Sequence, residues 1–166
     1  MVVRSLLDRT LRILLRAVTV AAPCGLLIYL LGRLPLGGPS LLSRLIRLLD
    51  PMGRVFGLDG AILSGFLLGL PANEIVLPLA LMGYGATGSL SPEAAAGALG
   101  PALLSAGWTK TTALSFMIFS LLHFPCSTTL LTIRKETGSW SWCLLAALLP
   151  TVFGLLFCLV LRFVVG

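Results

Sequence analysis

Charge is scarce in this chain: Asp, Glu, Lys and Arg together make 11% of its 166 residues, against about 25% in a soluble domain. That scarcity excludes a water-exposed globular fold. Hydrophobic residues at 57% and a mean hydropathy of +1.03 place the chain in a membrane instead. Acidic residues are the scarcer sign, so the net charge is +6. The Arg residues are scattered around apolar spans without any RNA- or DNA-binding pattern, which assigns them to loops and anionic headgroups rather than to nucleic acid. The four cysteines, Cys24, Cys126, Cys143 and Cys158, show no CxxC spacing, so neither a disulfide framework nor a zinc site is suggested. Three of them read as small apolar packing residues, and Cys126 is set apart by its position. No GxxxxGK[ST] phosphate loop occurs, so GTP binding by this chain is not expected. A rhomboid-like Gly-x-Ser-Gly motif around Ser64 would need glycine where Ile62 stands, which argues against an intramembrane protease. No enzymatic activity is expected.

What the chain has is long apolar stretches with punctuation inside them. Met1 to Arg16 carries four Arg, and Ala17 to Gly32 is free of charge, a pattern like that of a signal peptide. Pro23 stands before Cys24 where a lipoprotein would want a small residue, and the apolar run continues to Leu31, so a retained membrane helix is expected. Ile13 to Leu15 and Leu34 extend it while Arg16 and Arg33 snorkel. Pro35-Leu36-Gly37-Gly38-Pro39 breaks the chain. Ser40 then caps a helix whose Arg44 and Arg47 share one narrow polar face, an amphipathic interfacial helix ending at Asp50-Pro51-Met52-Gly53. Ser91-Pro92-Glu93 starts a short helix running into Gly100-Pro101. Thr111 to Ile133 is long enough to span, Trp140 and Trp142 fit an aromatic belt, and a last helix reaches Arg162 with a bend near Pro150 and Gly154. Orientation stays open, because Arg residues flank both ends of the first helix.

Two breaks carry the functional signal: Leu70-Pro71-Ala72-Asn73-Glu74 and His123-Phe124-Pro125-Cys126. Gly60 to Leu70 covers roughly half the hydrocarbon core, and the apolar run resumes from Ile75 to Met82, so two half-helices are expected to meet at Pro71. Lipid offers freed backbone groups no partner, so non-helical backbone at membrane depth survives only where protein buries it or water reaches it. Each proline frees the carbonyl one turn earlier, Leu67 for Pro71 and Leu121 for Pro125. Unwound carbonyls bind cations, and half-helix N-termini favour negative groups. Asn73 is placed to cap the half-helix starting near Glu74. Cys126 opens the half-helix Ser127-Thr128-Thr129, a position that favours a thiolate. His123 lies three residues before Cys126, about one helical turn. A carboxylate, an imidazole and a thiolate suit a first-row divalent metal better than sodium or magnesium. Read alone, Glu74, His123 and Cys126 also have bland roles: a backbone-bonded carboxylate, a buried hydrogen-bonding ring and a packed helix start. The expected fold is an all-α integral membrane helical bundle with discontinuous, Pro-broken transmembrane helices, plus the interfacial helix. One membrane domain occupies residues 1–166, its core about 11–162.

Gly57-Leu58-Asp59-Gly60 with Leu67-Leu68-Gly69-Leu70-Pro71-Ala72-Asn73-Glu74-Ile75-Val76-Leu77-Pro78 resembles the ferrous iron transport protein B (FeoB) family. So does Phe119-Ser120-Leu121-Leu122-His123-Phe124-Pro125-Cys126-Ser127-Thr128-Thr129 with Lys135-Glu136-Thr137-Gly138-Ser139. The strings are similar to that family's second, C-terminal Gate region, which is itself similar to the gate domain of nucleoside transporters, and the match runs from about Leu11 to Cys158. The resemblance implies Fe2+ as transported ion, a multi-pass place in the bacterial inner membrane, and Cys126 in the ion path. Asn73, Glu74 and His123 are the further candidate metal-path residues, with Pro71 and Pro125 as the helix breaks. Family members carry a GTPase domain and a first Gate region, so this sequence is expected to be a fragment, a truncated gene product or one subunit of a split transporter. The expected partners are therefore those parts, or a homo-oligomer, with membrane lipids around them. The alternative is a non-transporting gate or assembly module that needs such a partner, or a nucleoside-type gate protein.

Overall fold

The computed structural model describes residues 2–33, 39–71, 73–87 and 99–165. All regular structure among the described residues is helical. The order is α1 (Val2–Arg33), α2 (Leu41–Val55), α3 (Gly60–Leu68), a 3-10 turn (Asn73–Ile75), α4 (Val76–Thr87), α5 (Leu99–Ser105), α6 (Lys110–Leu122), α7 (Ser127–Thr137) and α8 (Trp140–Val165). Among the described residues two stretches are long and apolar enough to cross a membrane: Lys110–Thr137, which comprises α6 and α7, and Trp140–Val165.

α1 begins at Val2, well ahead of the expected start near Ile13, and runs through Pro23 for 32 residues. Leu and Arg are good helix formers, and nothing in the Arg-rich segment breaks the helix. At 1.5 Å per residue it is ~48 Å long. The expected break at Pro35 to Pro39 falls mostly outside the described residues, as does the helix start at Ser91-Pro92-Glu93. α2 is capped as its sequence predicts, Ser40 Oγ accepting from Ser43 N–H at 3.3 Å.

α2 does not stop at Asp50-Pro51 but continues to Val55. Pro51 costs the helix one hydrogen bond, and Asp50 is otherwise engaged than in a turn. Its Oδ2 pairs with Arg54 at 2.7 Å, and its Oδ1 accepts from Gly60 N–H at 3.1 Å. The chain turns instead at Gly57, whose φ of 71° lies in the left-handed region that suits glycine. α3 then starts from Asp59, whose Oδ1 accepts from Ile62 N–H at 2.8 Å.

α2, α3 and α4 pack on one another, and α8 packs on α6 and α7. The core runs from Leu42 and Ile46 through Ile62 and Phe66 to Phe119 and Cys158. Backbones approach closely at small residues. A Cβ on Gly60 would run into the Ile46 carbonyl, and one on Gly65 would meet the Val76 carbonyl oxygen at 2.8 Å. Close packing of this kind supplies contact where lipid makes apolar burial worth little. The outer faces of α6 and α8 are apolar and exposed, as at Met117, Leu121, Leu144, Phe157 and Phe163.

Candidate functional site

The two interrupted stretches meet. α3 ends at Leu68, and Gly69 closes it with an N–H donated to the Gly65 carbonyl at 2.8 Å. Leu70 and Pro71 turn, the 3-10 turn follows, and α4 begins at Val76. In the second stretch α6 ends at Leu122, residues 123–126 are non-helical, and α7 begins at Ser127. The Ser127 N–H donates to the Leu70 carbonyl at 2.8 Å. The carbonyl immediately before one proline thus satisfies the first amide of the half-helix that follows the other, a group no helix can satisfy from within. The tie uses Leu70, not the carbonyl one turn earlier. A ring contact runs beside it, the His123 and Phe66 centroids lying 4.8 Å apart.

His123 is 9% exposed, among Phe66, Phe119 and Phe124. Its Nδ1 lies 2.9 Å from the Ser120 carbonyl. A carbonyl only accepts, so Nδ1 carries the proton of that contact and Nε2 is the ring nitrogen left over. That Nε2 is buried without a partner, as are Asn73 Oδ1 and Ser127 Oγ. Leaving a buried polar atom unpaired costs about 1–3 kcal/mol, so three of them near one junction mark a place that a cation or water would stabilise. Asn73 does not cap α4 through Oδ1, contrary to expectation, because the 3-10 turn stands between it and the helix. From the sequence, Ser127 opens the half-helix after Pro125 and, with Ser64 and His123, belongs to the disfavoured protease reading; it is not among the candidate ion-path residues.

Glu74 is exposed in the 3-10 turn. Cys126 is half-buried at the N-cap of α7, with its Sγ 3.0 Å and 3.2 Å from the hydroxyls of Thr128 and Thr129. Because residues 123–126 leave the helix, the one-turn spacing of His123 and Cys126 does not apply, and their side chains make separate contacts. Among the described residues no three His, Cys, Asp or Glu side chains are placed to hold one metal ion. Cys143 and Cys158 are buried and donate to the carbonyls of Leu130 and Ser115, at 3.3 Å and 3.4 Å. Ser64 is buried and donates to the Gly60 carbonyl at 2.6 Å.

A second polar group lies at the far end of α3 and α4. Trp108 Nε1–H donates to Tyr84 Oη at 2.6 Å, and Tyr84 O–H donates to Asp59 Oδ2 at 2.5 Å. Burial holds the Asp59 carboxyl above the usual carboxylate range, against the pull of its Tyr84 hydrogen bond. Beside it opens a cavity of about 310 Å³, lined in part by Arg47, Asp50, Arg54 and Thr87. The sequence signal was Asp59 before Gly60, an N-cap pattern, but its distant partners were not readable from spacing.

A family model described as Gate, nucleoside recognition, matches residues 14–140, well over half the chain and across both interruptions. The chain belongs to this Gate family. Similar proteins include the Fe(2+) transporter FeoB of Staphylococcus aureus (strain MSSA476), 51% identical over 45 residues, which cover 27% of this chain and 7% of that protein. The Fe(2+) transporter FeoB of Methanocaldococcus jannaschii is 32% identical over 98 residues, 59% of this chain and 13% of that protein. The Gate chain thus aligns with between 7% and 13% of the length of these relatives. No solved structure matches it.

Proposed function

We propose that this Gate chain supplies the second gate region of a ferrous iron translocation path in the bacterial inner membrane. The observation that carries the reading is the Ser127 N–H to Leu70 carbonyl bond, which joins both interruptions beside three unpartnered buried polar atoms. Interrupted helices meeting at depth are the usual place for ion sites in transporters, with carbonyls and polar side chains replacing water. Asn73 and His123 serve the buried part of the path, and the more exposed Glu74 and Cys126 serve its ends. A row of incomplete sites suits an ion that must leave again, since binding must be weak enough for release. α3 with α4, and α6 with α7, are the discontinuous spans; α2 lies at the interface with Arg44 and Arg47 outward. The FeoB relatives extend far beyond the aligned segment, so the GTPase and first gate are expected from partner segments, or a homo-oligomer completes the path.

The test places Cys126→Ser and Glu74→Gln in the complete transporter and measures Fe(II) uptake at matched protein abundance. Serine keeps size and loses the soft sulfur; glutamine keeps shape and loses charge. Uptake should fall by about tenfold or more, the scale of metal-site substitutions. Cys143→Ser and Cys158→Ser should transport like wild type. A second reading, a gate or assembly module without an ion path of its own, is favoured by one observation: among the described residues no three His, Cys, Asp or Glu side chains converge. Wild-type uptake by both Cys126→Ser and Glu74→Gln would select it.

A further inference from the structure

A separate polar site lies where α6 begins and α8 ends. A cavity of about 550 Å³ opens there, lined by Arg54, Thr109, Thr111, Thr112, Arg162 and Val165 among others. Among the described residues that line it, two carry guanidinium groups and none a carboxylate. Arg54 is tied to Asp50, whereas Arg162 has no ion pair among the described residues. Thr109 caps α6, its Oγ1 accepting from Thr112 N–H at 3.1 Å. The remaining first-turn amides of that helix have no partner from within it. Guanidinium forks, hydroxyl donors and open amides together fit a phosphate group, and Arg binds one through paired hydrogen bonds.

The surroundings choose between a soluble phosphate and a lipid. Thr109 and Arg162 stand at the ends of the two stretches long enough to cross a membrane, the depth at which such helices meet headgroups. Next to Arg162, Phe163 and Val164 are 82% and 78% exposed, and Leu114 and Met117 present apolar surface on α6. Acyl chains would cover these side chains while the headgroup fills the cavity.

We propose that this cavity binds the phosphodiester of an anionic phospholipid, with Arg162 as its principal partner. The proposal needs α6 to α8 to span a membrane, but does not depend on iron passage, so the two can fail separately.

The full chain in neutral detergent is mixed with phosphatidylglycerol or phosphatidylcholine, and retained lipid is counted by native mass spectrometry. Phosphatidylglycerol should be retained preferentially, and Arg162→Gln should lower its retention about tenfold, the effect of losing one charge-assisted contact. Arg134→Gln should retain it like wild type, because Arg134 stacks on Trp140 at the other end of the span, 3.6 Å from the ring centre. Thermal unfolding without lipid should be the same for Arg162→Gln and wild type; if the variant unfolds early, Thr111→Val replaces it in the same assay. Equal retention by wild type and whichever of these cavity variants is used would overturn the proposal. Displacement of phosphatidylglycerol by millimolar inorganic phosphate would overturn the lipid occupant in favour of a soluble anion.

Discussion

The tie between the two interruptions can be cut at one atom. Ser127 is the first residue of α7, a position where proline is favoured, and Cys126 before it has φ −61° and ψ 158°, compatible with a following proline. Ser127→Pro therefore leaves the helix start intact while deleting the N–H that reaches Leu70 at 2.8 Å. The ring carbon that replaces the proton also pushes against the Leu70 carbonyl. Stranding that carbonyl costs about 1–3 kcal/mol, offset by the ~0.4–1 kcal/mol that proline removes from unfolded-state entropy. Ser127→Ala is the control, since it removes only a buried hydroxyl that has no partner, and should be neutral or slightly stabilising. At roughly 2–4 °C per kcal/mol for a chain of this size, Ser127→Pro should unfold a few degrees below Ser127→Ala in the same detergent. Amide hydrogen exchange should rise together in residues 69–76 and 123–130. Equal melting and unchanged exchange in the two variants would refute the claim that this bond couples the breaks.

Gly60→Ala should destabilise the chain by about 1–3 kcal/mol, because its Cβ meets the Ile46 carbonyl and overpacking forces α2 and α3 apart; a melting point within a degree of wild type would contradict this. Tyr84→Phe should cost more than Trp108→Phe, since it strands both Trp108 Nε1 and Asp59 Oδ2, whereas the latter leaves the Tyr84 hydroxyl still bonded to Asp59; thermal unfolding gives the order. The purified chain should neither hydrolyse GTP nor bind it specifically, and micromolar, Mg-dependent binding in calorimetry would reveal a site without the usual phosphate loop.

Proline acts locally, so the sequence places interruptions near Pro71 and Pro125; α3 ends at Leu68 and α6 at Leu122. Other prolines were misleading for a related reason. Pro51 sits inside a helix whose next turn is held by Asp50, Arg54 and the later stop at Gly57, so the sequence-predicted end at residues 50–53 came slightly too early. Partnerships between distant residues were not legible at all. Nothing in the spacing of Leu70 and Ser127 announces their hydrogen bond, and the Asp59, Tyr84 and Trp108 chain assembles from one helix and two separate loops. Asn73 shows the limit of local rules: its type fits a cap, yet the intervening 3-10 turn leaves its oxygen unpaired.

The central claim is that the joined breaks line a wet, metal-accepting path. The measurement that tests it most directly is the labelling of Cys126 in the complete transporter. Every other cysteine is replaced, and a charged, membrane-impermeant thiol reagent is added without oxygen. Cys126 should react, Fe(II) should slow the reaction, and Mg(II) at the same concentration should not, because soft sulfur distinguishes the two. A Cys126 that stays unlabelled in the intact protein, or is labelled equally fast with and without Fe(II), would contradict the account.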